Sequence, residues 1–336
     1  MKRENFINIL KCICIILVMQ IHFSCTGIGQ DYQNFFSIYT IKQWVINIQS
    51  IAVPLFFVIN GYLILGKKRD EKYIIQKSLK LFLQLLFFSV LTRVIISIYN
   101  NVSIMEIDTS HFWFIKTLIA IYLLYPFLDY IVNNFKFSKY YLLLSLFVCF
   151  VIPDLSIILQ FFNININLSI ITDFYPLLYP IGTFSFYFVI GGLINKYKNV
   201  FNLSKIFYIT IFLISSLFLL FDWYMLSFIN GKTIYTVIAL YNSIPVLLMT
   251  ISIFCIFRDI GVNQHIGNAF NCIANQTLMI YYISWIIGYT VLPNILNMFN
   301  MKYCLILDII KAIALTVLCS IISICLKKIS LVKKFL

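Results

Sequence analysis

Charged residues are scarce in this sequence of 336 residues: Asp, Glu, Lys and Arg make up 11% of it, and 62% is hydrophobic. A soluble domain with that balance would be covered in apolar surface, so the composition excludes one. The alternating pattern of a membrane β-barrel is also missing. The chain has instead apolar runs of about 20 residues, the length that an α-helix needs to cross a bilayer. The sequence therefore predicts an all-α integral membrane protein.

Long polar insertions and linkers are absent as well, so we predict a single polytopic membrane domain over residues 1–336. The first apolar run contains Lys11 and is followed by no small-residue cleavage site, which favours a retained span over a signal peptide. We expect about ten transmembrane helices, near residues 6–23, 43–65, 78–99, 112–132, 139–160, 177–195, 204–222, 233–257, 270–292 and 303–326.

Acidic residues are the rarer charge: 12 Asp and Glu stand against 25 Lys and Arg, a formal net charge of +13. Lys and Arg collect in short cytoplasmic loops, and they fall mostly on one side if the N-terminus is cytoplasmic. The loops assigned to the outer side then hold only Lys42, Lys232 and Lys302. We predict cytoplasmic termini, a multi-pass protein of a bacterial cytoplasmic membrane, and contact with anionic lipid rather than with nucleic acid.

Metal ligands and disulfide patterns are not evident. Most of the nine cysteines lie in the apolar runs, where a free thiol behaves as a small apolar group. Their spacing forms no disulfide framework and no metal-ligand cluster. We therefore expect no bound metal and no permanently bound cofactor.

One of the three histidines, His22, ends the first apolar run in "ILVMQIHFS". Ionisable residues within a span are costly and are functional candidates. Lys11 lies on the same helix face, with about 16 Å of rise between the two residues. A snorkelling lysine and an interfacial histidine are the alternative. Imidazole can take a hydroxyl proton near neutral pH, or can itself accept an acyl group, and the sequence leaves both open.

Two more lysines, Lys77 and Lys80, lie one helical turn apart at the start of the third apolar run. With Lys11 they could bind phosphate groups, although ordinary cytoplasmic flanking charge is the alternative. Acyl-coenzyme A, which carries phosphates at one end and a thioester on a long thin arm, fits such an arrangement.

Four further residues are candidates for the acceptor side of a reaction or for structural roles. Arg93 and Lys116 could bind an anionic acceptor or stabilise an oxyanion, and pairing with a buried acid such as Asp129 is equally compatible. Trp113 is a candidate acceptor-binding residue, although placement in an interfacial aromatic belt is the commoner reason for it and for His111.

Three other polar residues have simpler interpretations. Asp308 and Lys311 have the spacing of an internal ion pair. His265 falls in a polar segment, where we expect it to be solvated.

The sequence resembles the acyltransferase 3 family of integral-membrane acyltransferases over nearly its whole length. The stretches that carry the resemblance, in the order found in that family, are "NILKCICIILVMQIHF", "VPLFFVINGYLIL", "KSLKLFLQLL", "HFWFIKTLIAIYLLYPFL", "FYFVIGGLI" and "NQTLMIYYIS". The resemblance implies O-acylation, usually O-acetylation, of a cell-surface or exported polysaccharide or lipid-linked sugar. It also implies acyl-coenzyme A, usually acetyl-coenzyme A, as the donor.

The resemblance assigns roles to four of these residues. The family's arginine and essential histidine, separated by ten residues, fall on Lys11 and His22, so His22 is the catalytic candidate. The family's two arginines spaced three apart fall on Lys77 and Lys80, the candidate donor-binding residues. Lysine keeps the positive charge of arginine but loses its bidentate grip on phosphate.

Three positions depart from the family pattern in other ways. Asn8 stands where an aspartate is common, Asn60 where the serine of an "SGY" motif is common, and Ser284 where a histidine is often found. Asn60 is kept as a candidate acceptor-binding residue. Some members of the family are linked to exopolysaccharide export, so a transporter or flippase is the alternative function, and a membrane scaffold is a third.

Overall fold

The computed structural model describes residues 5–23, 38–67, 69–164, 179–231, 241–258, 264–291 and 305–328. Every regular element in these ranges is helical, which confirms the predicted all-α class for them. Six helices are long and apolar enough to cross a membrane: Asn5–Phe23, Gln43–Ile64, Glu71–Asn100, Phe135–Phe161, Lys205–Ile229 and Ile306–Leu326. They point to a multi-pass membrane protein. The count of ten spans and the side of each terminus stay predictions.

Short breaks divide the described helices, and we number them in chain order. They are α1 (Asn5–Phe23), α2 (Ile38–Ile48), α3 (Ala52–Ile64), α4 (Glu71–Asn100), α5 (Trp113–Leu123), α6 (Tyr125–Asn133), α7 (Phe135–Leu146), α8 (Ile152–Phe161), α9 (Ile181–Lys196), α10 (Lys205–Ile229), α11 (Ile244–Arg258), α12 (Gln264–Ala274), α13 (Thr277–Thr290) and α14 (Leu305–Leu326). The span predicted for residues 112–132 is interrupted at Leu124, since Pro126 lacks an amide donor and starts a new helix.

The chain folds into two compact units. The first comprises Met1–Cys25, Arg69–Leu123 and Val262–Leu336. In this unit α1 packs against α12, α13 and α14, and α4 packs against α5 and α13. The buried face of α1 is apolar and includes Leu10 and Met19. These contacts hold α1, α4 and α13 together around the candidate site.

The second unit comprises Thr26–Lys68 and Leu124–Gly261. Its closest helix pair is α3 with α9, which meet at glycines. A Cβ atom at Gly61 would lie 1.8 Å from the carbonyl oxygen of Phe188, and one at Gly191 would lie 2.0 Å from that of Val58. Small residues let helix backbones approach closely in membrane proteins. This explains the "NGY" and "IGG" stretches as packing signals.

Candidate active site

The C-terminal end of α1 lies against α13, and a glycine makes this approach possible. A Cβ atom at Gly288 would lie 1.9 Å from Cε1 of Phe23, so the ring fits only over a glycine. The Phe23 ring also contacts Trp285 and Tyr289, with centroids 6.1 and 6.5 Å away. The last turn of α1 is thereby fixed on the part of α13 that carries Trp285.

His22, the candidate catalytic residue, immediately precedes Phe23 and is only partly buried. Its imidazole ring meets the indole of Trp285 edge to face, with centroids 5.4 Å apart and 83° between the planes. Such a T-shaped contact favours one ring orientation. An oriented imidazole that keeps some exposure suits acid–base chemistry, and the catalytic role of His22 stays a prediction.

His111 is buried, with its side chain only 6% exposed. The helical turn Ser110–Phe112 precedes α5, and the imidazole of His111 lies flat on Trp285, with centroids 3.8 Å apart and 6° between the planes. Within the described part of the chain, neither of its ring nitrogens has a hydrogen-bond partner. One indole therefore contacts two imidazoles, and sequence analysis had singled out neither this pair nor Trp285.

Arg93 and Lys116 lie near the turn that carries His111. The Nη2 atom of Arg93 donates to the Thr109 hydroxyl oxygen at 3.2 Å. Lys116 is exposed. Its positive charge acts on Asp108, which lies in the segment that joins α4 to α5. Trp113 is partly exposed at the start of α5. These predicted acceptor-binding residues and His111 belong to the same unit.

Asn60 lies in the other compact unit. Its side-chain amide donates to the carbonyl oxygen of Phe56 at 2.8 Å, a local bond within α3. Asp129, considered as a partner of the arginine, accepts hydrogen bonds from the amide of Gly66 at 2.9 Å and from the side chain of Asn133 at 2.7 Å. Both hydrogen bonds of Asp129 are therefore formed within the second unit.

Lys11 and Lys77 are neighbours, as the sequence predicts. The positive charges of Lys11 and Arg69 both act on the Lys77 ammonium group. That group lies 4.7 Å from the ring centroid of the buried Tyr122. Cations gathered in this way suit the binding of an anion. Arg69 lies just before α4 and was not among the predicted donor-binding residues. Its charged neighbours in "KKRDEK" are typical of an ordinary charged loop.

Lys80 is exposed on the next turn of α4 and lies near the end of α14. Partial burial, and then the positive charge of Lys80, lower the pKa of Lys327. Lys327 therefore extends the group of cations, and we call Lys11, Arg69, Lys77, Lys80 and Lys327 the basic cluster. Sequence analysis had not singled out Lys327.

Three other residues of the first unit have simple surroundings. Asp308 and Lys311 form the predicted ion pair at 3.1 Å. Ser284, where the family often has a histidine, is buried and donates to the carbonyl oxygen of Tyr281 at 2.9 Å. Within the described residues, no group of three His, Cys, Asp or Glu could hold a metal ion. The side chain of His265 lies outside the described part of the chain.

The fold and the two groups of residues define a helical membrane protein with an imidazole pair and a basic cluster in one unit. The family model described as an acyltransferase domain, acyltransferase 3, matches residues 4–327. The chain belongs to this acyltransferase family. No curated protein and no solved structure matches the chain.

Proposed function

We propose that this membrane acyltransferase is an acyl-coenzyme A-dependent O-acyltransferase, most simply an O-acetyltransferase. Its acceptor is a hydroxyl group of a surface or exported polysaccharide or of a lipid-linked sugar in a bacterial cytoplasmic membrane. The observation that carries the proposal is the placement of His22 and the basic cluster in one helical unit, with Lys11 on the same helix as the histidine.

The basic cluster is the proposed donor site. Phosphate groups bind strongly to several cations at once. Lys77, with Lys11 and Arg69 nearby, supplies such a group, and Lys80 with Lys327 adds to it. An α-helix rises about 16 Å between Lys11 and His22, so the donor is bound in an extended form, its phosphates at the cluster and its thioester near the imidazole.

His22 is the proposed general base. The acceptor hydroxyl loses its proton to the imidazole as its oxygen attacks the thioester carbonyl carbon. The C–S bond then breaks, the imidazolium returns the proton to the thiolate, and an ester and free coenzyme A leave. Positioned general bases contribute roughly 10²- to 10⁴-fold to rate. Arg93 or Lys116 would stabilise the oxyanion, and Trp113 would contact the acceptor.

The deciding experiment is an acyl-transfer assay on membranes that contain the native chain or His22→Ala. The substrates are labelled acetyl-coenzyme A and extracted cell-envelope glycan. We expect His22→Ala to lower labelling at least about 100-fold while the protein stays folded and inserted. Retained labelling would overturn the role of His22.

His265→Ala is the matched control, because it replaces a histidine to which the proposal assigns no role. It should label glycan at the native rate. If the native chain exports glycan without labelling it, the enzyme proposal fails and the transporter alternative is favoured.

A further inference from the structure

The connection between α4 and α5 is held in place by polar side chains of its own. Asp108 accepts hydrogen bonds from the amide of Ser110 at 2.6 Å and from its hydroxyl at 2.5 Å. Arg93 donates to Thr109, and the hydroxyl of Tyr281 donates to the carbonyl oxygen of His111. The backbone of His111 is thus fixed from both sides, so its ring position is defined by more than its own packing.

The ring of His111 is packed between aromatic neighbours. It stacks on Trp285, and its centroid also lies 3.8 Å from that of Phe112. The Phe112 ring in turn lies 5.4 Å from the ring of Tyr282, and no described residue forms a hydrogen bond with the buried hydroxyl of that tyrosine. These contacts explain how the two faces of the imidazole ring are packed. They do not provide a hydrogen bond to either ring nitrogen.

Both ring nitrogens of His111 are buried and have no hydrogen-bond partner among the residues that the structure describes. Buried polar atoms are nearly always hydrogen-bonded, and leaving one unsatisfied is costly. A neutral imidazole has one donor and one acceptor. A hydroxyl group also donates and accepts, so a polyhydroxylated molecule complements this ring.

The charges around His111 also favour a neutral acceptor group over an ammonium. Lys116 and His22 are the basic groups that act on the ring, and the carboxylate of Asp108 opposes them. Arg93 adds another cation beside Thr109, and its buried Nε atom has no hydrogen-bond partner in the described ranges. A ligand with oxygen acceptors satisfies this arginine nitrogen and the donor of the imidazole together.

We propose that His111 binds hydroxyl groups of the carbohydrate acceptor next to His22, the two imidazoles being held on the shared indole of Trp285. This inference rests on the proposed function, and it adds an acceptor-binding residue to it. His111 forms hydrogen bonds to the acceptor, whereas the reacting proton goes to His22. Loss of the His111 nitrogens should therefore raise the acceptor KM more than it lowers kcat.

The test compares the native protein with His111→Phe, which keeps an aromatic ring on Trp285 and removes both nitrogens. Transfer to extracted glycan is measured over a range of glycan concentrations, so that the acceptor KM and kcat are obtained separately. We expect an acceptor KM raised about tenfold or more, as for a lost buried hydrogen bond. An acceptor KM within twofold of native would overturn the proposal.

A binding measurement separates this proposal from the proposed function. Fluorescently labelled glycan is titrated into the purified native protein, His22→Ala and His111→Phe. We expect His22→Ala to bind glycan like the native protein and His111→Phe to bind it about tenfold more weakly. If the native chain binds glycan but transfers no acyl group, the proposed function fails, and the binding comparison alone decides the role of His111. Equal binding by native protein and His111→Phe would overturn the role of His111.

A measurement on the native protein covers the case in which His111→Phe does not fold. The chain has only three histidines, so ¹⁵N-histidine labelling gives few imidazole resonances. His22→Ala and His265→Ala identify two of them and leave His111 by elimination. We expect glycan to shift the His111 resonances, and unchanged resonances at saturating glycan would overturn the proposal.

Discussion

His111 lies flat on Trp285, with ring centroids 3.8 Å apart and 6° between the planes. The same indole receives the edge of the His22 ring at 5.4 Å. Trp285 therefore orients two imidazoles that come from distant parts of the sequence. The geometry of the candidate site depends on this one residue as much as on either histidine.

Replacing Trp285 by Ala should affect activity and stability together. The substitution removes the surface against which both imidazoles pack and leaves a cavity, so we expect transfer to fall at least about 100-fold. The loss of a large buried aromatic group typically costs about 3–5 kcal/mol of stability, and Trp285 is only partly buried, so the lower end applies. Glycan labelling and thermal unfolding in detergent measure the two effects.

Trp285→Phe is the matched control, because a smaller aromatic ring keeps part of both contacts. It should retain more transfer than Trp285→Ala. Equal activity of the native protein and the alanine variant would contradict the orienting role of the indole.

Gly288→Ala should displace the end of α1. The new Cβ atom would lie 1.9 Å from the Phe23 ring, so the ring and the adjacent His22 must move. A displacement of about 1 Å at a reacting group can lower the rate roughly 100-fold. We expect reduced glycan labelling with little change in the KM for acetyl-coenzyme A, because Lys11 is the residue of the basic cluster that lies on α1, and it is about 16 Å from His22 along the helix.

A double substitution tests the cause of that effect. Phe23→Ala removes the ring that the new methyl group meets, so Phe23→Ala combined with Gly288→Ala should be less defective than the sum of the single effects. Additive losses would show that the two positions do not interact.

The sequence predicted the helices well where a helix coincides with an apolar run. The run at 6–23 corresponds to Asn5–Phe23. The run at 78–99 corresponds to a longer helix, Glu71–Asn100, because the side chain of Asp70 caps an additional polar turn by accepting from the amide of Lys72. Hydropathy marks the part of a helix that suits lipid, whereas capping sets where the helix begins.

The candidate site was predictable only in part. The relative placement of His22 and Lys11 could be predicted because both lie on one helix, where the sequence spacing fixes their relative positions. The placement of His111 was not, because its burial depends on α13, which lies far along the chain. Gly288 permits the contact of α1 with α13, but a glycine in an apolar run does not reveal which ring will occupy the space.

Acid should loosen the connection that holds His111. The Ser110 hydroxyl, and then its amide, lower the pKa of Asp108 below its ordinary value of 3.8. Because the pKa of Asp108 is lower in the folded than in the unfolded protein, the carboxylate stabilises the fold at pH values above its ordinary pKa. This stabilisation is lost as the pH falls through the lowered pKa of the folded protein. We expect the Ser110 amide to exchange hydrogen faster below pH 3.8 than the intrinsic pH dependence accounts for. Asp108→Asn should remove this pH dependence, and unaltered dependence would contradict the role of the carboxylate.

The basic cluster can be tested by changing the donor as well as the protein. Lys77→Met removes a cation that lies near Lys11 and Arg69, so we expect the KM for acetyl-coenzyme A to rise about tenfold, as for a lost charge-assisted hydrogen bond. S-acetylpantetheine lacks the phosphate groups, so its KM should be the same for the native protein and the variant. Lys72→Met, at an exposed position in the first turn of α4, is the matched control and should leave both values unchanged. An equal rise for the two donors would show that Lys77 supports the acyl end or the fold, because a phosphate contact can discriminate only against the donor that carries phosphate.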